Sequence, residues 1–99
     1  MTEDELITAI LAEMARVWGE SGLHGEPDEY AWLESTYGIT EDDDVKWQMV
    51  LQYRDGELPE DDREDQDVMA FLHDETAVVR FLEGLLKKYQ SSAAVYLGS

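Results

Sequence analysis

The chain has 99 residues, of which 24 are Asp or Glu and seven are Lys or Arg, and its formal net charge at pH 7 is −17. This charge disfavours direct binding to nucleic acid or anionic membranes, because both bind proteins mainly through Lys and Arg. The chain has no cysteine, which excludes disulfides and thiolate chemistry, while its 43% hydrophobic content predicts a single folded domain over residues 1–99.

The first predicted element is an amphipathic helix that begins after Thr2 and ends near Gly19 or Gly22. Thr2 and Glu5 have the spacing of a capping box, in which each side chain accepts a hydrogen bond from the backbone N–H of the other residue. Apolar residues then recur at helical spacing: Leu6, Ile7, Ile10, Leu11, Met14, Val17 and Trp18. This stripe predicts a helix with one buried face.

The second predicted element is a short helix that follows a loop. Pro27 suits the first position of a helix, and Gly38 suits its C-terminal cap. Leu33 falls on the face that we expect to be buried. Trp32 lies beside it and is predicted to be exposed at least in part.

Residues 40–56 carry two conflicting signals. Apolar and polar residues alternate over residues 45–53, which is typical of a strand. The ends favour a helix, since Thr40 suits the N-cap, acidic residues fill the first turn, and Gly56 follows the last turn. The segments that would pair with a strand are poor candidates, so we predict a helix here.

Two more helices are predicted after Pro59. The first covers residues 60–74 and is acidic in its first half and apolar in its second. The second begins with Thr76 as its N-cap and carries a long apolar stripe. The predicted fold is therefore mainly α, a small four- or five-helix bundle, with an α+β fold as the alternative if residues 45–53 form a strand.

The sequence contains no complete pattern for catalysis or metal binding. The acidic run over residues 55–67 does not fit a calcium loop, because proline and glutamate occupy the fifth and sixth positions, where an oxygen ligand and a glycine are needed. His73, Asp74 and Glu75 are adjacent rather than one helical turn apart, which is a poor spacing for metal ligands. Glycine-rich phosphate-binding motifs and a nucleophile elbow are missing. We therefore predict a protein that is not an enzyme and needs no metal or cofactor.

The acidic runs indicate binding to a basic protein surface. Residues 55–67 hold eight carboxylates and one arginine, a net charge of −7. As one helix this run would be about 20 Å long, with one net charge per roughly 3 Å, compared with about 1.7 Å in B-DNA. The predicted partner-binding residues are two groups of acids and two exposed aromatic anchors: Glu60, Asp61, Asp62, Glu64, Asp65 and Asp67, then Glu41, Asp42, Asp43 and Asp44, and finally Trp32 and Trp47.

The predicted function is that of an acidic inhibitor that blocks the basic surface of a nuclease or another nucleic-acid-handling protein. A phage anti-CRISPR or anti-restriction protein that acts as a DNA mimic has these properties. The alternatives are an immunity protein against a nuclease toxin and a small virion or assembly protein that associates through apolar faces. A further interpretation assigns the charge to solubility alone. The acidic N-terminus and the lack of an apolar run of about 20 residues predict a cytoplasmic protein, and a dimer is compatible with the sequence.

Overall fold

The computed structural model describes residues 1–21 and 29–98, with side chains at positions 1–17, 19 and 31–90. Within these residues the chain forms six α-helices and no strand: α1 Glu3–Ser21, α2 Glu29–Tyr37, α3 Glu41–Arg54, α4 Glu60–Glu64, α5 Gln66–His73 and α6 Glu75–Gly98. The predicted mainly α bundle is confirmed, and the alternative strand at residues 45–53 is wrong. The described helices exceed the predicted four or five because residues 60–74, predicted as one helix, form two.

α6 is the helix on which α1, α2, α3 and α5 pack. Among its described side chains, those buried in the core are Val78, Leu82, Leu85, Leu86 and Tyr89. The remaining helices and connections contribute the rest of the buried apolar core: Leu6, Ile7, Ile10, Val17, Leu33, Ile39, Trp47, Val50, Leu58 and Leu72. Removal of these side chains from water is the main force that holds the bundle together.

α3 is a helix because its caps and its buried face outweigh the strand-like alternation of its sequence. The Thr40 N–H donates to Asp43 Oδ2 at 3.1 Å and the Asp43 N–H donates to Thr40 Oγ1 at 3.2 Å, which completes a capping box. Trp47 and Val50 are one turn apart, and each is 1% exposed. A strand would place these two side chains on opposite faces. Gly56 follows the helix with a φ of 74°, as expected of a glycine cap.

Other helix ends also follow local signals. Thr2 and Glu5 form the predicted capping box at the start of α1. Gly38 has a φ of 70°, and its N–H donates to the Glu34 carbonyl at 2.9 Å, so it caps α2 as predicted. The predicted start at Pro27 and the possible end at Gly22 lie outside the described residues.

The predicted N-cap of the last helix is wrong. α6 begins at Glu75, one residue before Thr76, because Asp74 takes the capping role. Asp74 Oδ1 accepts a hydrogen bond from the Ala77 N–H at 3.1 Å. Asp is a better N-cap than Thr, and here it precedes Thr by two positions.

Asp65 divides the predicted helix over residues 60–74 into α4 and α5. Its backbone is extended, with φ −80° and ψ 114°. Its Oδ1 accepts hydrogen bonds from the N–H groups of Asp67 at 2.9 Å and Val68 at 3.2 Å, so the side chain caps a new helix. The predicted 20 Å array of carboxylates along one helix is therefore wrong, since α4 has only five residues.

Candidate functional site

Two acidic patches meet at one surface groove. The first patch is residues 41–44, the first turn of α3, and the second patch is residues 60–67, which form α4 and the start of α5. Asp42 from the first patch and Asp67 from the second line the same groove, which has a volume of about 310 Å³. The fold thus brings together two acidic runs that are separate in the sequence.

The groove between α3 and α5, called here the α3–α5 groove, has an apolar lining. Val45 and Met49 lie on the α3 side, and Val68 and Phe71 lie on the α5 side. Val45 is 44% exposed, and the other three side chains are half-buried. The helical spacing of Val45 with Met49, and of Val68 with Phe71, is visible in the sequence. The sequence does not show that α3 and α5 lie on either side of one groove.

Lys46 also lines the α3–α5 groove. Its Nζ lies 5.8 Å from the ring centroid of Phe71 and 6.0 Å from that of Phe81. The two rings meet edge to face, with centroids 5.9 Å apart. A cation at about 6 Å from an aromatic ring is attracted to the electron-rich face. Among the described residues, the ammonium group is thus held by two aromatic rings and forms no ion pair.

The first patch is partly used by the fold itself. Asp43 is half-buried, and its Oδ2 accepts a hydrogen bond from Lys88 Nζ at 2.8 Å as well as the one from the Thr40 N–H. Partial burial raises the pKa of the Asp43 carboxyl, but the hydrogen bonds from Lys88 and Thr40 outweigh it, so the pKa lies below its ordinary value. The position of Asp43 three residues after Thr40 indicates its capping role, whereas the sequence prediction did not assign it the ion pair with Lys88. Glu41 and Asp42 are exposed and form no ion pair with a described side chain.

The second patch is more available. Glu60, Asp61, Glu64 and Asp67 are all exposed, and none forms an ion pair within the described part of the chain. Asp62 is half-buried, and the Asp65 carboxylate is exposed but occupied as the cap of α5. Four of the six predicted acids in this patch therefore present their carboxylates to solvent.

No known protein family, curated protein or solved structure matches this chain. Function must therefore be inferred from the patches, the groove and their charges. None of the described helices has the length and the apolar composition needed to cross a membrane.

The two predicted aromatic anchors are not part of the α3–α5 groove. The prediction that Trp47 is exposed is wrong, because its helical spacing with Val50 turns the side chain into the core. Trp32 is half-buried on α2, and its ring meets that of Tyr37 edge to face with centroids 5.6 Å apart. A role for Trp32 in binding stays a prediction.

A second depression, of about 570 Å³, is lined by residues of α1, α3, α5 and α6. Its arginine is already paired, because Arg54 donates hydrogen bonds to Glu3 at 2.9 Å and to Asp4. The His73 ring lies 5.8 Å from that of Tyr53, centroid to centroid, and forms no hydrogen bond with a described residue. In the described ranges no group of three His, Asp or Glu side chains is placed to hold a metal ion. This depression therefore offers neither an activated nucleophile nor a set of metal ligands.

Proposed function

We propose that the protein is a non-enzymatic inhibitor that binds and blocks the basic surface of a nucleic-acid-handling protein. The observation that supports this most directly is the meeting of the two acidic patches, through Asp42 and Asp67, at one groove. The exposed carboxylates around it have no cationic partner among the described residues. A basic partner would supply the positive charges that pair with these carboxylates. The net charge of −17 would also increase the rate at which the protein and a basic partner associate.

The proposed mimicry is one of charge rather than of duplex shape. Residues 60–67 carry six acids and one arginine, and residues 41–44 carry four acids, so the two patches have net charges of −5 and −4. Their carboxylates do not follow a straight helix, because the chain turns at Asp65. The carboxylates of the two patches would take the place of phosphate groups in the basic cleft of a nuclease. The protein would therefore compete with nucleic acid for that cleft.

A phage protein that inhibits a CRISPR or restriction nuclease is the biological role that we propose. An immunity protein that neutralises a nuclease toxin would need the same surface chemistry. Both roles predict that duplex DNA and this protein compete for one surface of the partner. Both also predict complexes that weaken steeply as salt rises, because salt screens exposed charges.

The test is capture of partners from a bacterial lysate at low salt, followed by elution with a salt gradient. A groove-side variant carries three neutral amides: Glu60→Gln, Glu64→Gln and Asp67→Asn. A control variant has the same change in charge at exposed positions outside both acidic runs: Glu34→Gln, Glu75→Gln and Glu83→Gln.

We expect the wild type to retain a nucleic-acid-binding protein that duplex DNA displaces. The groove-side variant should release this partner at lower salt than the control variant does. Equal elution of the two variants, or a captured partner that still binds DNA while complexed, would overturn the proposal. Retention that holds or tightens as salt rises would instead support assembly through apolar faces.

A further inference from the structure

We infer that the α3–α5 groove binds an amphipathic basic helix of the partner, whose apolar face inserts between α3 and α5. The inference rests on the proposed function, because it specifies the chemistry of the basic surface that is blocked. It adds an apolar contact to a recognition surface that would otherwise be purely electrostatic.

The lining of the groove suits one face of a helix. Val45 and Met49 are spaced i, i+4 on α3, and Val68 and Phe71 are spaced i, i+3 on α5. Each pair therefore forms an apolar ridge on its own helix. An amphipathic helix binds such a groove through apolar side chains at i, i+3, i+4 and i+7. The volume of about 310 Å³ is enough for the apolar side chains of one helix face, not for a folded domain.

The charges around the groove select a basic occupant. Asp42 and Asp67 line it directly, and the exposed Glu41 and Glu64 belong to the same two patches. A helix with Lys or Arg beside its apolar stripe satisfies both the lining and these carboxylates. A second copy of this chain would match only the apolar lining, because two molecules of charge −17 repel each other.

Lys46 opposes such an occupant. Its ammonium group lies at the groove, against Phe71 and Phe81, so it reduces the negative potential there. Lys87 is exposed on α6 and does not line the groove, so it provides a matched position for the same loss of charge. Removal of the Lys46 charge should therefore strengthen binding of a basic helix more than removal of the Lys87 charge.

The experiment measures binding of two labelled peptides by fluorescence anisotropy. One is a helix-forming peptide of Leu and Lys with its leucines on one face, and the other is a scrambled peptide of the same composition. The key variant is Val45→Ser, and its control is Leu11→Ser on α1, since these side chains are 44% and 48% exposed in the free protein. Circular dichroism of each variant checks that the helices remain formed.

We expect Val45→Ser to weaken binding of the amphipathic peptide by roughly fivefold, because the peptide would cover the 44% of the Val45 side chain that is exposed in the free protein. Leu11→Ser should change it less than about twofold, and the scrambled peptide should bind weakly and equally to both variants. Lys46→Gln should tighten binding of the amphipathic peptide by roughly threefold, and Lys87→Gln by clearly less, because Coulomb energy falls with distance.

Equal effects of Val45→Ser and Leu11→Ser, or equal binding of the two peptides, would overturn the groove inference. That result would leave the lysate experiment unaffected, because the latter depends on the acidic side chains. Conversely, selective binding of the amphipathic peptide in the groove, combined with equal elution of the two charge variants from lysate, would support the groove and reject the proposed inhibitor.

Discussion

The first and second acidic patches are both dense in carboxylates, but the fold holds them in different ways. In residues 41–44, Asp43 belongs to a capping box and is bound by Lys88, and the helix that follows is anchored in the core by Trp47. In residues 60–67, α4 has five residues and none of them is buried. Asp43 is thus committed to the fold in the first patch and Asp65 to the cap of α5 in the second, but four carboxylates of the second patch remain exposed to a partner.

The difference has a physical cause in helix geometry. All four acids of the first patch lie in the first turn of α3, where the helix dipole and the free N–H groups favour negative charge. The second patch extends beyond the first turn of α4, so like charges face one another at i, i+4, as in Glu60 and Glu64. A dense acidic run therefore lowers the stability of a helix where it extends beyond the first turn.

The largest expected effect comes from removing the core anchor behind the first patch. Trp47→Ala should lower the free energy of unfolding by about 3–5 kcal/mol, because it leaves a cavity in a packed core. Urea denaturation followed by circular dichroism measures this loss. Asp61→Ala in the second patch is the control and should change stability by less than about 0.5 kcal/mol. A similar small change at both positions would show that Trp47 is not a core residue.

Asp43 is the next strongest test of the contrast. Asp43→Ala should cost about 1–2 kcal/mol, because it removes the hydrogen bond from the Thr40 N–H to the Asp43 carboxylate and the half-exposed ion pair with Lys88. Asp42→Ala removes an exposed acid from the same turn and should cost about 0.5 kcal/mol or less. Equal losses in thermal or urea unfolding would mean that the capping box and the ion pair contribute nothing beyond the helix dipole.

The pH dependence follows from the lowered pKa of Asp43. Because its folded pKa lies below the unfolded value of about 3.9, its contribution is complete above that pH and is lost as pH falls through the folded pKa. The stability difference between wild type and Asp43→Asn should therefore be constant near neutral pH and shrink below about pH 4. Urea unfolding of both proteins across this range provides the measurement. A difference that grows on acidification would contradict the assigned direction.

The smallest effect is expected in the second patch. Glu64→Gln should stabilise the protein by about 0.3 kcal/mol at low salt, because it removes the repulsion from Glu60 one turn earlier. The gain should disappear near 1 M salt, where charges are screened over about 3 Å. Paired thermal melts at the two salt concentrations measure it, and a gain that survives high salt would have to come from packing rather than charge.

Local signals were sufficient to predict most helix ends and the helical fold. Thr40 with Asp43 and the glycines at 38 and 56 act on backbone groups only a few residues away, so their roles can be read from the sequence. Asp65 could not be assigned in this way. An aspartate near the start of a helix is equally suited to the first turn and to the N-cap of a new helix.

The candidate site was predicted only in part. The acidic runs are visible in the sequence, but their meeting through Asp42 and Asp67 depends on how α3 and α5 pack on α6. The alternation around Trp47 also hid the helical spacing that buries it. Val45, four positions before the half-buried Met49, belongs to a groove lining that only the tertiary arrangement reveals.

The central position of α6 has a consequence for synthesis of the chain. The helices α1, α2, α3 and α5, which contact α6, precede it in the sequence, so they are synthesised before the helix on which they pack. The residues before Glu75 include 22 acids and four basic residues, a net charge of −18, whereas residues 75–99 include two acids and three basic residues, a net charge of +1. The segment on which these acidic helices pack therefore carries no net negative charge, so their charge does not repel it.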